Sequence, residues 1–430
     1  MRNVPGGPRR LAPLVLALAL AGLPAAPAAA QSDYCVPGNT HYDPADVPPG
    51  GSQQPPVAGV RLGSITVNGL RIPVRSSGPQ NSREAVVFVH GNLGSSQDWL
   101  DLLPRVGALG RRAVAMDLPP YGHAPRPWEL PYVIEDARPF FRDVLATLGI
   151  TRAHMVLHDA GGANGLEWAR ARPRALISAT LIDTGALIGY RHHNTAELWR
   201  SPAGEPFMAG LNRQVFSQGI QMGNEQRPLP QSYIDQVYDD FDRAARCATL
   251  KIYRGIESEE VDHLGRIQAE ALRRSPRRPA LVIWGRNDPY LPVEMAERQR
   301  EAFPAAQVHV FDDSGHWPFV DNPERTRDLV IPFLRCVPTG KRDRIRLSVA
   351  PRQARAGRRT RFAFRTTVRR DGATRPVCGA AIRFGGRKAV SDGQGRAALR
   401  LTPQAGRRTA TATKHGLRRG AAAVRIAPAR

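Results

Sequence analysis

From Val60 onward the chain alternates short apolar runs with longer amphipathic stretches. Ala85–His90, Ala113–Asp117, His154–His158, Ala179–Asp183, Ala280–Trp284 and Gln307–Phe311 are brief and bounded by turn residues. Runs of this length without a polar face read as strands buried on both sides. Between them, stretches such as Pro139–Leu148 and Val293–Phe303 carry a helical period. Strands and helices in alternation predict an α/β architecture with a doubly wound, mostly parallel sheet over residues 60–336. The alternation breaks at about 187–278, which holds four of the nine tyrosines and mixed helical patterns, Gln231–Lys251 above all. That stretch predicts a helical lid over the carboxyl edge of the sheet.

Beyond a linker at 337–343 the period shortens. Arg344–Ala350, Thr360–Val368, Ala380–Phe384, Arg396–Leu401, Thr409–Thr413 and Ala422–Ile426 are separated by Asp-Gly, Gly-Gly and Gly-Gln-Gly turns. Six short strands of this kind predict an all-β sandwich over 344–430. Residues 31–59 are rich in Pro and Gly and predict an irregular arm.

The first thirty residues read as an address. Arg2, Arg9 and Arg10 precede an apolar run, Leu11 to Leu23, which ends in small residues up to Ala30. This is the pattern of a secretory signal cleaved near Ala30, with the mature chain starting near Gln31 and secreted. Outside the cytosol, Cys35, Cys247, Cys336 and Cys378 favour disulfides over a metal site, and three pairings remain open.

Charge divides the chain. Of 430 residues carrying a net +23, residues 341–430 hold 25 Lys+Arg against 3 Asp+Glu, while the first 340 hold 36 against 35. A basic surface on an exported chain points to anionic cell-wall polymers, acidic glycans or lipid headgroups. No nucleic acid is expected, since no recognition motif accompanies the arginines. Arginine outnumbers lysine 57 to 4, which a GC-rich coding bias can also produce. Hydrophobic content of 42% excludes disorder throughout.

Three strand ends carry candidate chemistry. His90-Gly91-Asn92-Leu93-Gly94 follows the first run, and a glycine turn there lets a backbone N–H point into the crevice. Leu157-His158-Asp159-Ala160-Gly161-Gly162 leaves a strand and enters a helix, so Asp159 stands at the apex of a tight elbow. Ser314-Gly315-His316-Trp317 follows the last strand, where a histidine can reach the elbow.

With Asp117-Leu118-Pro119-Pro120-Tyr121-Gly122 and Trp284-Gly285-Arg286-Asn287-Asp288-Pro289, these loops resemble the α/β-hydrolase family. An aspartate at the apex, with no G-x-S-x-G anywhere, resembles the haloalkane dehalogenase and epoxide hydrolase branch. The resemblance implies Asp159 as nucleophile, forming a covalent alkyl ester. It implies His316 as base, Asp288 as orienting acid with Asp183 as rival, and the amides of Ala160 and Asn92 as the oxyanion site. The elbow and Asn92 look closer to the dehalogenases, although their tryptophan after the nucleophile is Ala160 here. Both branches usually carry proline where Leu93 or Gly94 stands. An epoxide hydrolase is the alternative, its ring-opening acid drawn from Tyr190, Tyr233, Tyr238 or Tyr253. Trp199 is a candidate donor to a halide. The substrate expected is a small apolar molecule, with no metal or organic cofactor and an oligomeric state left open.

Bland readings stand beside these. Asp159 is also a plausible helix cap, His158 a packing residue, and Asn92 and Asp288 turn formers. His41, His192 and His193 show no metal spacing and read as exposed. A non-enzymatic protein binding anionic surfaces on a hydrolase scaffold is the competing class. The C-terminal strands resemble bacterial immunoglobulin-like or carboxypeptidase-regulatory-like modules, through Ala380–Phe384 and the turn Ser391–Arg396.

Overall fold

The computed structural model describes residues 34–36, 57–127, 134–337, 343–370, 373–414 and 417–429. The signal segment, most of the Pro/Gly-rich arm and His41 lie outside the described residues.

An eight-stranded sheet forms the body: β1 (Arg61–Val67), β2 (Leu70–Ser77), β3 (Glu84–Val89), β4 (Arg112–Met116), β5 (Arg152–His158), β6 (Leu176–Ile182), β7 (Ala280–Gly285) and β8 (Gln307–Phe311). The order is β1-β2-β4-β3-β5-β6-β7-β8, parallel from β4 onward and antiparallel at β1 and β2. The six parallel strands are the apolar runs of the sequence. Their side chains alternate between two cores, with Val87 and Val89 in one and Val86 and Phe88 in the other. A strand buried on both faces has no polar position to spare, hence the continuous apolar runs. The β1–β2 hairpin was not among the expected strands. Asn68 and Gly69 form its turn at φ 50° and 81°, the pair of positive angles that a two-residue hairpin turn requires.

The topology creates the crevice. From β3 the chain moves to β4 on one side, then crosses back to β5 on the other. At this reversal the loops leaving β3 and β5 diverge, and ligands of such sheets bind there. Between β6 and β7 come helices Asn194–Arg200, Gly204–Gly210, Arg213–Ile220, Gln231–Asp240, Arg243–Arg254 and Ser258–Arg273. The first five cover the crevice. The last packs beside the helix following the elbow, with Gln268 Nε2 3.4 Å from Ala163 O. It is the crossover to β7 and also contributes Val261 to the wall of the crevice.

The C-terminal strands are β9 (Arg346–Ala350), β10 (Gln353–Arg355), β11 (Thr360–Arg370), β12 (Ala373–Pro376), β13 (Ala381–Phe384), β14 (Arg387–Val390), β15 (Arg396–Leu401), β16 (Gly406–Thr413) and β17 (Gly420–Ala427). They form a five-stranded sheet, β10-β17-β16-β13-β14, and a second of order β12-β11-β15 with β9 also on β11. They enclose their own core around Phe362, Phe364, Ile382 and Phe384. Three strands here, β10 (Gln353–Arg355), β12 (Ala373–Pro376) and β14 (Arg387–Val390), are additional to the six expected. Each is four residues or fewer, too short to show a period.

Two disulfides choose among the three pairings. Cys35–Cys247 fastens the arm to a lid helix, and Cys336–Cys378 ties the last helix of the α/β body to the β domain. Both are compatible with an extracellular protein. No helix among the described residues is long and apolar enough to cross a membrane.

Candidate active site

Asp159 lies at φ 44°, ψ −127°, immediately before the helix Ala160–Ala171. A left-handed angle at a non-glycine costs about 1–3 kcal/mol and persists only where the surroundings enforce it. Here Gly162 N–H and Thr184 Oγ1–H both donate to Asp159 O, at 2.8 and 2.6 Å. The small neighbours are sterically required, because a Cβ on Gly161 would overlap the carbonyls of Val89 and His90. A Cβ on Gly91 would overlap the Asp159 carboxylate itself. The Asp159 side chain makes no cap bond to its helix, so the helix-cap reading fails.

Its carboxylate faces the expected partners. Asn92 N–H donates to Oδ2 at 2.8 Å, and the nearby Ala160 amide adds to the stabilisation of the charged carboxylate. Leu93 adopts φ 65°, an angle closed to the proline usual in such loops, yet the loop still delivers the Asn92 amide. His316 Nε2 lies 3.8 Å from Asp159 Oδ1, and His316 Nδ1 lies 2.7 Å from Asp288 Oδ2. Asp288 Oδ1 accepts the N–H groups of Tyr290 and Leu291 at 2.8 and 3.0 Å, which aims its other oxygen at the imidazole. His158 Nε2 meets His316 O at 2.9 Å and its ring packs against His316, a packing and tethering role.

Electrostatics follow from these contacts. Burial alone would raise the Asp159 carboxyl, but His316, His158 and the two amides outweigh it and hold it below the usual range. Burial lowers His316, and the carboxylates of Asp288 and Asp159 more than compensate, leaving it raised. Asp183 is completely buried at φ 44°, held by Gly285 N–H at 2.8 Å. Burial first, and then the Asp288 carboxylate, push its pKa well above the ordinary value. The donor atoms of Asp183, Asp288 and His316 lie within 4.8 Å of one another. Asp183 Oδ2 has no donor aimed at it. A neutral Asp183 presenting its proton to Asp288 accounts for all of this. Asp288, not its rival, holds the imidazole.

Two cavities open on Asp159. The larger, about 470 Å³, is walled by Leu118, Pro119, Phe140, Leu187, Ile252, Ile256 and Val261 with Tyr190 and Tyr253. The smaller, about 90 Å³, is lined by Asn92, Trp199, Phe216, Phe241 and His316 among others. Of the lid candidates, Tyr190, Tyr253 and Trp199 therefore reach the site. Tyr233 and Tyr238 do not: the first hydroxyl faces Asp98 Oδ1 at 3.5 Å, the second Leu211 O at 3.3 Å.

Three lining residues escaped the sequence reading. Tyr290 lines both cavities with its ring 4.9 Å from that of His316; its place two residues after Asp288 was the available signal. His193 also lines both and is not exposed, and His192 lines the larger. His193 Nδ1 accepts Ala196 N–H at 3.1 Å, capping a lid helix, and burial pushes its pKa down to about 4. A neutral ring with Nδ1 so used carries its proton on Nε2.

A family profile described as alpha/beta hydrolase fold matches residues 84–323. The chain belongs to the alpha/beta hydrolase fold family. An uncharacterised protein of Mycobacterium tuberculosis is 27% identical over 63% of this alpha/beta hydrolase and 80% of its own length. A 2-hydroxy-6-oxononadienedioate/2-hydroxy-6-oxononatrienedioate hydrolase of Burkholderia vietnamiensis is 26% identical over 63% of this chain and 94% of its own. Among solved structures, haloalkane dehalogenase DbeA of Bradyrhizobium elkani superposes with TM-score 0.56 at 23% identity, covering 64% of this chain and 97% of that one. Haloalkane dehalogenase DatA of Agrobacterium tumefaciens gives TM-score 0.54 at 20% identity, covering 65% and 98%. At these identities the structural likeness establishes the fold, and hydrolase-named relatives support a hydrolase.

Proposed function

We propose that this alpha/beta hydrolase cleaves a small apolar substrate at an sp³ carbon through an ester on Asp159. The observation that carries the reading is a carboxylate at the strained apex, one oxygen held by the Asn92 amide and the other facing a histidine–aspartate pair. Asp159 Oδ1 attacks carbon, and the leaving atom takes the electron pair of the broken bond. A water then adds to Cγ while His316 Nε2 accepts its proton. The tetrahedral oxyanion forms at Oδ2, where the Asn92 amide already points, with the adjoining Ala160 amide as the second donor proposed. Collapse expels the alcohol oxygen, which takes the proton back from His316. Ester formation removes one of the negative charges that raise His316, so its pKa falls and more of the ring stands neutral, able to accept the proton, as the ester appears.

The leaving group decides the substrate class. Asn92 Nδ2, the halide donor of the dehalogenase resemblance, is engaged by Tyr253 Oη at 2.6 Å. Since the amide donates, the Tyr253 hydrogen is directed elsewhere, and burial keeps that phenol protonated well above its usual range. A hydroxyl donor is what an opening epoxide needs, whereas a halide leaves without a proton. This favours an epoxide and reverses the dehalogenase preference drawn from the elbow sequence. Halide release is the second reading, favoured by one observation: Trp199 Nε1 is buried without an acceptor and its ring lines the smaller cavity. We place the reaction outside the cytosol, supported by the two disulfides.

The test is the His316→Gln variant with styrene oxide and with 1-bromobutane. An epoxide adds its whole mass to the peptide containing Asp159; a bromide adds a butyl group and frees bromide. In H₂¹⁸O, one turnover of the unmodified protein should place ¹⁸O in Asp159. Turnover by Asp159→Ala, or an active substrate that leaves neither adduct nor label, would remove the mechanism.

A further inference from the structure

The β domain pairs cations directly against cations. In the four-stranded sheet, β11 (Thr360–Arg370) runs antiparallel to β15 (Arg396–Leu401), with Arg361 opposite Arg400 and Arg365 opposite Arg396. In the five-stranded sheet, β16 (Gly406–Thr413) sets Arg407 opposite Arg425 of β17 (Gly420–Ala427). There too β13 (Ala381–Phe384) sets Arg383 opposite Lys388 of β14. All eight side chains are exposed. Residues between them on the strands, such as Phe362, Phe364, Ile382 and Leu399, fill the core. The cations therefore occupy the two outer faces of the sandwich, back to back.

Directly opposed like charges destabilise a sheet. Neighbouring carboxylates would relieve them, but residues 341–430 hold three acidic residues against 25 basic ones, and Asp392 meets Arg396 at 3.3 Å. Coding bias does not explain the pattern. It exchanges lysine for arginine without removing acids, and residues 1–340 of the same chain hold 36 basic and 35 acidic residues.

We infer that both outer faces bind an extended, linear polymer of oxyanions. The arrangement fits a thread better than a membrane. A bilayer can meet one face of a sandwich, whereas a polymer can run across both. No large apolar side chain stands on the paired positions for insertion; Val390, at a sheet margin, is the exposed large hydrophobic residue described in this domain. Successive cations on β11 are four residues apart, roughly 13 Å along the strand, and the paired cation lies about 5 Å across. Guanidinium groups at such spacing engage either phosphates or carboxylates.

The domain is also fixed where binding leaves the active site open. Arg375 donates to the carbonyls of Leu109 and Gly110 at 3.2 and 3.3 Å, just ahead of β4. Lys414 Nζ bonds Cys336 O and Cys378 O beside the disulfide. That is the amino end of the parallel strands, opposite the catalytic loops.

The full mature chain should bind long-chain polyphosphate and polygalacturonate, and ignore neutral dextran. Raising NaCl from about 50 to about 300 mM should weaken binding at least roughly tenfold. Arg361→Thr, Arg365→Thr, Arg396→Thr and Arg400→Thr together should weaken it about fivefold or more, as should the matching set Arg383→Thr, Lys388→Thr, Arg407→Thr and Arg425→Thr. All eight together should abolish binding while the melting temperature holds or rises, since repulsion is relieved. Retention of one polymer alone identifies its oxyanion as the one recognised. Undiminished binding by the eightfold variant would overturn the inference. So would capture by phosphatidylglycerol vesicles without capture by either polymer.

Discussion

The Asn92 side-chain amide donates to the Tyr253 hydroxyl across 2.6 Å, joining the oxyanion loop to the lid. The contact orients the phenol and leaves its hydrogen for a substrate. Tyr253→Phe keeps the ring and removes the proton donor. On an epoxide it should lower kcat about 100-fold, within the range for loss of a general acid. On a bromoalkane, whose leaving group takes no proton, the change should stay within about threefold. Steady-state rates on both substrates check this, and equal losses would return the phenol to a structural role.

The two acids below His316 should behave differently. Asp288→Asn removes the charge that orients and stabilises the imidazolium, and should slow ester hydrolysis at least about 1000-fold, as in other His–Asp pairs. Asp183 is read as neutral, so Asp183→Asn keeps a donor toward Asp288, and asparagine tolerates the positive φ. Its rate should stay within about threefold of the unmodified protein. Single-turnover decay of the Asp159 ester measures both; a Asp183→Asn defect as deep as Asp288→Asn would show that Asp183 carries the working charge.

The parallel strands and the elbow were legible because burial on two faces and close backbone approach restrict composition severely. Val86–Val89 can be little but apolar, and Gly161 can be nothing larger. The choice between Asp183 and Asp288 was not legible. Both follow strands, and only the Asp288 turn, whose amides bind one carboxylate oxygen, aims the other at His316. Lid residues were the least readable. Tyr190, Tyr233, Tyr238 and Tyr253 look alike in sequence, and which hydroxyl faces Asp159 depends on how short helices stack. His193 was hidden for the same reason, its ring serving as both helix cap and cavity wall.

The second half-reaction needs a neutral His316; Asp288 and Asp159 raise its pKa in the free protein, and in the ester the Asp288 carboxylate still does so. Hydrolysis of the ester should therefore slow as pH falls through a value governed by His316, whereas ester formation needs only ionised Asp159, which is held below the usual range. Lowering the pH from about 8 to about 5 should make the alkyl-enzyme accumulate, visible by mass after rapid acid quench. Parallel loss of both half-reactions would mean that His316 is not the base.

Removing the β domain should spare chemistry. Its contacts lie at Leu109, Gly110 and Cys336, at the far end of the strands from the elbow. A chain ending at Val337 with Cys336→Ser should keep kcat within about twofold on a soluble substrate, while its melting temperature drops by a few degrees or more, roughly one or two kcal/mol of lost contacts. Loss of turnover in a folded truncated chain would place the domain in the catalytic cycle.

Asp98 supplies a stability test away from the reacting atoms. Its Oδ2 accepts Ser95 N–H at 3.3 Å, completing the cap of the short helix Ser96–Trp99, while Tyr233 O–H faces Oδ1 at 3.5 Å. Burial first, with the carboxylates of Asp117 and Asp240 adding to it, outweighs those bonds and raises the pKa to about 8. In the unfolded chain the group titrates near 3.9. The folded protein thus binds this proton more tightly than the unfolded one. The stability it contributes is fully present below the unfolded value and is lost as pH rises through about 8. Asp98→Asn is neutral throughout and removes that dependence. The melting temperature of the variant minus that of the unmodified protein should rise by about 3 °C or more between about pH 5 and pH 9. Taking the difference cancels the other titrating groups, so a constant offset across this range would show that Asp98 is ionised in the folded protein at neutral pH.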